Sequence, residues 1–418
     1  MKRRELTRRQ LLQNSAAFGA AALAGSVARG FIGCSSRRSV SLEAGKWHEL
    51  SSPVPTGSIS PRVTAQPDKN AFLSWLEPQE DRKASLRFSI WRDARWSQAA
   101  TIASGLAFSR DQAAAPGVIG LSPSNLIAYW SQRVSTDQQP TNEIALYMAV
   151  STDGGAHWAT PMLVNRAAAQ PGEDNAYAAA VGLDAQRAQF VWLDGRDWEK
   201  SKRVQLMSRV VSAEGHVSET RLLDRDTCTC CSTAIARTSS GLLAAYRGHN
   251  SKNIRDISLV RSVDSGWSEP HIPHPDDWHI EACPVNGPHL DARENHTALI
   301  WFTAPQDQPA VKLAFSHDGG AQFAPAVRLD TGKAVGRAQV AVLRDGSAVG
   351  IWLESESGEA RLVARRVRDD GAMGAPLELA RGTNFGYPHA ARTAGSIVVT
   401  WSERNPGSQV HAGLLQTD

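Results

Sequence analysis

Short apolar segments that end in an aromatic residue recur along the chain at intervals of roughly 50 to 60 residues. Seven such segments end at Trp75, Trp130, Trp192, Tyr246, Trp301, Trp352 and Trp401. A second pattern follows six of them, in which an aromatic or apolar residue precedes Ser, Ala or Gly, at Trp96, Trp158, Val217, Trp267, Phe323 and Met373. Gly, Asp and Asn separate the apolar segments. Each repeat therefore predicts about four short β-strands, as in one blade of a β-propeller.

The two ends of the repeat array predict a closed ring. The last repeat stops soon after Trp401, whereas Lys46-Trp47-His48-Glu49-Leu50 stands before the first repeat and resembles the missing strand. An N-terminal strand that completes the last blade removes the exposed edges of the ring. We therefore predict an all-β, seven-bladed β-propeller over residues 46–418, with six blades as the alternative if one repeat is degenerate.

Composition narrows the class of protein. A chain of 418 residues is long enough for two or three ordinary domains, but the repeats predict that it folds as one domain built from repeated units. The hydrophobic fraction of 42% and the charged fraction of 21% exclude a disordered or multi-span membrane protein. The net charge of +3 comes from the residues before Cys34, since the rest of the chain carries slightly more acidic than basic residues. We expect no nucleic-acid partner.

Residues 1–33 have the pattern of an export signal. A basic start is followed by an uncharged, Ala-rich stretch and by small residues before Cys34. The segment around Arg8 and Arg9 resembles a twin-arginine export motif, and the residues ending at Cys34 resemble a lipobox, whose cysteine becomes lipidated. A plain Sec signal is the alternative. We expect a periplasmic or cell-envelope protein that is attached to the membrane through Cys34, with a linker over residues 34–45.

Two repeats carry a sharper turn pattern between their outer strands. It consists of Ser, Asp, Gly and an aromatic residue at fixed spacing: Ser151, Asp153, Gly155 and Trp158, and again Ser316, Asp318, Gly320 and Phe323. This pattern resembles the Asp-box of sialidases and other bacterial neuraminidase-repeat propellers. Asp and Ser bond the backbone of a tight turn, and Gly adopts positive φ. We interpret these residues as structural rather than catalytic.

The remaining cysteines are clustered. Cys228, Cys230 and Cys231 precede the first strand of the fourth repeat, and Cys283 precedes that of the fifth. Connections between successive blades run on one face of a propeller, so we expect four sulfur atoms at one end of the central channel. The spacing leaves three interpretations open: a metal site, a disulfide with leftover thiols, or a redox-active cluster.

The metal and disulfide interpretations involve different sets of residues. Four thiolates suit copper or zinc, with His279, Glu281 and His289 as further ligands. In the disulfide alternative, Cys228 or Cys230 pairs with Cys283 and ties two blades together, as an oxidising compartment permits. Our hypothesis is a cysteine-centred metal or redox site.

Further motifs surround the cysteines. Tyr246-Arg247, Ile254-Arg255-Asp256-Ile257, Cys283-Pro-Val-Asn286-Gly-Pro and Gly336-Arg337 resemble those of a group of exported bacterial sialidase-like proteins that also carry Cys-x-Cys-Cys. The resemblance implies a shared site without naming its reaction. The polar side chains that we expect to line the site are Arg247, Arg255, Asp256, Asn286 and Arg337.

Two other functions remain open. For an exo-sialidase or other glycoside hydrolase, Arg62 and Tyr387 resemble the arginine and the tyrosine of the sialidase site, and Glu281 would partner the tyrosine. That set lacks an evident acid/base Asp. The third function is a monomeric, non-enzymatic propeller that binds a protein or a glycan.

Overall fold

The computed structural model describes residues 42–66, 70–136, 139–165, 175–264, 266–404 and 407–417. Within these ranges the strands form seven antiparallel sheets, which are the blades of a β-propeller. The predicted all-β, seven-bladed fold is therefore confirmed, and the six-bladed alternative is wrong. The predicted signal segment, Cys34 and most of the predicted linker lie outside the described residues. No helix in the described part is long and apolar enough to cross a membrane.

The ring closes through the first strand. The strand β1 (Lys46–Leu50) pairs antiparallel with the last strand of the chain, β29 (Ser408–Gln416), and Trp47 faces Leu415 in this register. Blade 7 thus contains residues from both ends of the described chain, as the sequence predicted.

Blades 1 to 3 follow β1 in chain order. Blade 1 holds β2 (Ile59–Ala65), β3 (Ala71–Pro78), β4 (Ala84–Arg92), β5 (Arg95–Trp96) and β6 (Ala100–Leu106). Blade 2 holds β7 (Gly117–Gly120), β8 (Leu126–Thr136), β9 (Gln139–Ser151) and β10 (Met162–Leu163). Blade 3 holds β11 (Asn175–Gly182), β12 (Arg187–Asp194), β13 (Val204–Ser212) and β14 (Arg221–Thr227). A one-turn helix, α1 (Trp198–Ser201), lies between β12 and β13, and a 3-10 turn, Gln112–Ala114, precedes β7.

Blades 4 to 7 complete the ring. Blade 4 holds β15 (Ala234–Thr238), β16 (Gly241–Arg247), β17 (Ile257–Val263) and β18 (Gly266–Trp267). Blade 5 holds β19 (His289–Arg293), β20 (His296–Thr303), β21 (Ala310–Ser316) and β22 (Val327–Arg328), with a 3-10 turn at Pro305–Asp307. Blade 6 holds β23 (Ala334–Val342), β24 (Ala348–Glu356), β25 (Glu359–Val367) and β26 (Leu377–Gly382). Blade 7 adds β27 (His389–Arg392) and β28 (Ser396–Arg404) to β29 and β1.

The recurring aromatic residues lie on the second strand of each blade and are buried between blades. Burial of an indole requires a partner for its N–H. The chain supplies one in a repeated way: Trp75 donates to Glu77, Trp192 to Asp194 and Trp352 to Glu354, each at 2.9–3.0 Å. An acid two residues after the Trp therefore satisfies the indole in several blades.

The two Asp-box sequences form the expected turns. Ser151 Oγ donates to Asp153 at 2.8 Å and accepts the Gly155 N–H at 2.9 Å, and Gly155 has φ of +93°. Ser316 and Asp318 make the same contacts in blade 5. The side chains are committed to the turns, which supports their structural interpretation.

The first strands of all seven blades surround a central channel of about 390 Å³. We call the end of the propeller at which these first strands begin the upper face. Segments that link one blade to the next arrive there, so residues distant in sequence meet around the channel.

Candidate functional site at the upper face

The four cysteines of the described chain lie together at the upper face. Cys228, Cys230 and Cys231 are buried in the link from β14 to β15, and the exposed Cys283 lies in the segment before β19. Cys230 and Cys283 form a disulfide, with their Cα atoms 6.2 Å apart, whereas Cys228 and Cys231 are free thiols. The structure therefore contains the Cys230 pairing of the disulfide alternative, which ties the entrance of blade 4 to that of blade 5.

The disulfide changes the set of side chains that could act as metal ligands. In the described chain, the group of side chains that could hold a metal consists of Cys228, Cys230 and Cys231, whose sulfur atoms lie within 4.8 Å of one another. Cys283 is not a free thiolate because it is bonded to Cys230.

The two predicted histidine ligands lie outside this sulfur group. His279 pairs with Glu281 on the surface at 3.2 Å. His289 lines the central channel and accepts the Val340 N–H at 3.2 Å. Among the described residues, these histidines are therefore not part of the group of side chains that could hold a metal with the cysteines.

The free cysteines form an unequal pair. The sulfur of Cys228 lies 3.5 Å from that of Cys231 and 3.8 Å from that of Cys230, and Arg255 Nη1 donates to it at 3.2 Å. The hydrogen bond from Cys231, and then those from the Cys230 backbone and Arg255, lower the pKa of Cys228 to about 5 against the opposing effect of burial. Burial raises the pKa of Cys231. At neutral pH the pair is thus a thiolate at Cys228 and a thiol at Cys231.

Arg247 holds the backbone around this pair. Its side chain is buried, and its guanidinium donates to the carbonyl oxygens of Asn286 at 2.9 Å, Arg255 at 2.6 Å and Phe302 at 2.7 Å. The group also lies 4.8 Å from the centre of the Trp278 ring. All three carbonyls belong to segments that converge on the cysteines or on blade 5. Arg247 is therefore a buried residue whose side chain holds three backbone segments together.

Two other expected site residues are committed to the backbone. Asp256 accepts the N–H groups of Asp276, Asp277 and Trp278, which shapes the loop before Cys283. Asn286 accepts the Arg337 N–H at 2.6 Å.

Arg337 is engaged in a similar way. Its side chain donates to the Phe385 carbonyl at 2.8 Å and stacks 4.7 Å from the Tyr387 ring centre. Of the five residues expected from the motifs, Arg255 is the one with a side-chain contact to a cysteine sulfur.

The sialidase-like residues do not form the hydrolase arrangement that the sequence alternative required. Tyr387 is buried and its hydroxyl donates to the Val285 carbonyl. Glu281 is exposed and contacts Asn253 and His279. Arg62 lines the channel, where it donates to the Ala115 carbonyl at 3.0 Å. The hydroxyl expected to act as a nucleophile thus joins the segment after Cys283 to blade 7.

Sequence reasoning missed Tyr177 and Asp111. Tyr177 packs against the three buried cysteines, has φ of +58° and donates its hydroxyl to Asp111 at 2.7 Å. Positive φ is uncommon for a large side chain and occurs where surrounding contacts hold it in place. Asp111 lies in the link before β7, Tyr177 lies in β11, and neither belongs to a motif, so the sequence offered no signal that they would meet.

Comparisons with known proteins identify an architecture. No protein-family model matches the chain, and a search of curated proteins finds no match. An ulvan lyase of polysaccharide lyase family PL25 superposes with a TM-score of 0.58 at 9% identity, over 89% of this chain and 96% of that one. The polysaccharide lyase Uly1 gives 0.52 at 10% identity, over 88% and 91%.

A sialidase is also among the similar structures. A variant of the NanB sialidase from Streptococcus pneumoniae gives a TM-score of 0.47 at 11% identity, over 83% of each chain. Identities this low describe the fold alone. The chain is thus a seven-bladed propeller similar in fold to polysaccharide lyases.

Proposed function

We propose that the protein is an exported, lipid-anchored propeller whose upper face carries a thiol–disulfide exchange site. The observation that carries this proposal is the position of Cys228 Sγ, which lies 3.8 Å from Cys230 Sγ of the Cys230–Cys283 bond and accepts a hydrogen bond from Arg255. A thiolate is the nucleophile in disulfide exchange, and a hydrogen-bonded arginine maintains it.

In this exchange, one disulfide bond forms as another breaks. The Cys228 thiolate attacks the Cys230 sulfur, a Cys228–Cys230 disulfide forms, and the bond to Cys283 breaks with its electron pair on the Cys283 sulfur. Cys283 is exposed, so its thiolate can then attack an external disulfide and release one thiolate from it. The buried thiolate thereby makes a surface cysteine reactive.

The pH dependence of this exchange tests the proposal. We expect native protein to form a mixed disulfide with the neutral probe 2-hydroxyethyl disulfide. Because the pKa of Cys228 is about 5, the rate should change little above about pH 6 and fall about tenfold per unit well below pH 5. Intact-protein mass spectrometry of acid-quenched samples measures the rate. A rate that instead rises through pH 8 to 9 would assign the reaction to an ordinary thiol and contradict the proposal.

A thiophilic metal is a second function that the sulfur geometry favours in the reduced protein. The three sulfur atoms that lie within 4.8 Å would all be thiols after reduction of the disulfide, and thiolates are soft ligands suited to Cu(I) or zinc. We expect reduced protein to compete with a chromogenic chelator for Cu(I), and oxidised protein and reduced Cys231→Ser to compete at least about tenfold less well. Equal competition by reduced and oxidised protein would exclude the cysteines as the site.

Export and lipid attachment complete the proposal and rest on the leader sequence. We expect full-length protein to fractionate with membranes and to carry a lipid on Cys34, whereas Cys34→Ser protein is exported without the lipid. Replacing Arg8 and Arg9 together by lysine should retain the protein in the cytoplasm if export uses the twin-arginine route. Normal export of the double-lysine variant would instead indicate the Sec alternative.

A further inference from the structure

A cavity of about 300 Å³ adjoins the cysteine site on the side of blades 2 and 3. Its walls include the apolar side chains of Leu193, Val204 and Trp198, and Thr229 of the Cys-Thr-Cys-Cys segment forms one end. Thr229 Oγ1 lies 3.5 Å from Cys283 Sγ. A molecule in this cavity would therefore reach the exposed sulfur of the disulfide.

The polar side chains of this cavity include Tyr177 and Asp111, which are joined by a 2.7 Å hydrogen bond. Asp111 is the one carboxylate among the residues that line the cavity, and none of those residues is basic. A second cavity, of about 440 Å³, shares Asp111 with the first and is lined by Arg82, Arg110 and Arg133. The two cavities thus place an acidic group beside basic groups, and the first cavity extends to Thr229, which lies next to Cys283.

The arrangement of acidic and basic groups along the two cavities restricts the kind of ligand that they could bind. A ligand with an ammonium group would place it at Asp111 and the Tyr177 ring, and carboxylates would lie among the three arginines. The size of the first cavity suits a small molecule rather than a folded protein. An occupant that contained sulfur would lie beside the Cys230–Cys283 disulfide.

We propose that the two cavities bind a short peptide thiol, or its disulfide, that carries both ammonium and carboxylate groups, and that this compound is the exchange partner of Cys283. This inference rests on the proposed exchange function. The Cys283 thiolate attacks the peptide disulfide, one S–S bond forms between Cys283 and the peptide, and one peptide thiolate leaves. The reverse step restores the free Cys283 thiolate, so no further oxidant or reductant is consumed.

The test compares two probes on the full chain. Oxidised glutathione carries the required charges and 2-hydroxyethyl disulfide carries none. We expect the second-order rate constant for glutathione mixed-disulfide formation to exceed that for the neutral probe by at least about tenfold at low salt, since a charged cleft raises association rates. This advantage should shrink as salt is added, and the neutral probe should be unaffected.

Two variants test whether the charged side chains of the cavities bind the charged groups of the peptide. Arg110→Gln and Asp111→Asn should each reduce the ratio of the glutathione rate to the neutral-probe rate several-fold. Asn is the conservative choice because Asp111 also caps the turn at Gln112–Ala114. Asp184→Asn, at the exposed turn between β11 and β12, is the matched control that should change neither rate.

The outcomes separate the two proposals. Equal rates for both probes, or a glutathione preference that survives both cavity variants, would overturn the peptide-thiol site while the exchange function stands. Failure of both probes to react with native protein would overturn the exchange function itself. Circular dichroism of each variant identifies any loss of rate that comes from unfolding.

Discussion

Replacing Cys228 by serine should lower the rate of mixed-disulfide formation at Cys283 by about two orders of magnitude or more. The serine hydroxyl cannot attack the disulfide. The remaining nucleophile is Cys231, and burial raises its pKa above the ordinary thiol value. Cys231 is therefore mostly protonated at neutral pH. The rate should be measured by acid quenching and intact-protein mass spectrometry with 2-hydroxyethyl disulfide.

Cys231→Ser is the matched control for this change. A serine hydroxyl at this position can still donate to the Cys228 sulfur, so the Cys228 thiolate and most of the exchange rate should be retained. Arg255→Gln should give an intermediate loss because the 3.2 Å contact to Cys228 would disappear. If Cys231→Ser reacts more slowly than Cys228→Ser, the roles of the two thiols are reversed and our assignment is wrong.

Replacing Arg247 by alanine should destabilise the propeller by about 3 kcal/mol or more. The change leaves the carbonyls of Asn286, Arg255 and Phe302 without their shared donor in a buried region. It also removes the cationic group that packs on Trp278. Urea denaturation followed by tryptophan fluorescence measures the loss, provided that the transition is two-state.

Two further variants make the Arg247 result specific. Arg225→Ala removes an exposed arginine and should change the free energy of unfolding by no more than about 0.5 kcal/mol. Arg247→Lys keeps the charge but cannot donate to three carbonyls in the fixed planar geometry of a guanidinium, so it should recover only part of the loss. Full stability in Arg247→Ala would mean that the three carbonyls find other partners.

The fold was predictable because its signals repeat. Trp75, Trp192 and Trp352 occupy equivalent buried positions, and each has an acid two residues later that accepts its indole N–H. The apolar segment that ends in an aromatic residue occurs in all seven blades, so the repeat can be recognised even where one copy varies. The closing strand at Lys46–Leu50 was predictable for the same reason, since one repeat lacked a strand and the chain before the first repeat supplied it.

The site was only partly predictable. The cysteines stand before the first strands of two blades, and the links that enter the blades lie on one face. The sequence therefore correctly predicted that the cysteines would lie together on that face. The pairing of Cys230 rather than Cys228 with Cys283 depends on side-chain direction within a four-residue segment, which spacing does not specify.

The roles of the neighbouring polar residues could not be read from sequence either. Arg247 looked like a ligand-binding arginine, yet it bonds backbone carbonyls that only the folded chain brings together. Tyr177 and Asp111 belong to no motif, and they meet because the start of β11 lies beside the link that enters blade 2. Motifs showed which residues gather at the upper face, whereas tertiary contacts decided what each of them does.

The most direct test of the exchange site is to locate the bond that forms when Cys283 is trapped. Native protein should be incubated with iodoacetamide at neutral pH, digested under acidic, non-reducing conditions and analysed by peptide mass spectrometry. The exchange mechanism predicts that alkylated Cys283 accumulates together with a Cys228–Cys230 disulfide. Alkylation of Cys228 or Cys231 with the Cys230–Cys283 bond intact would contradict it.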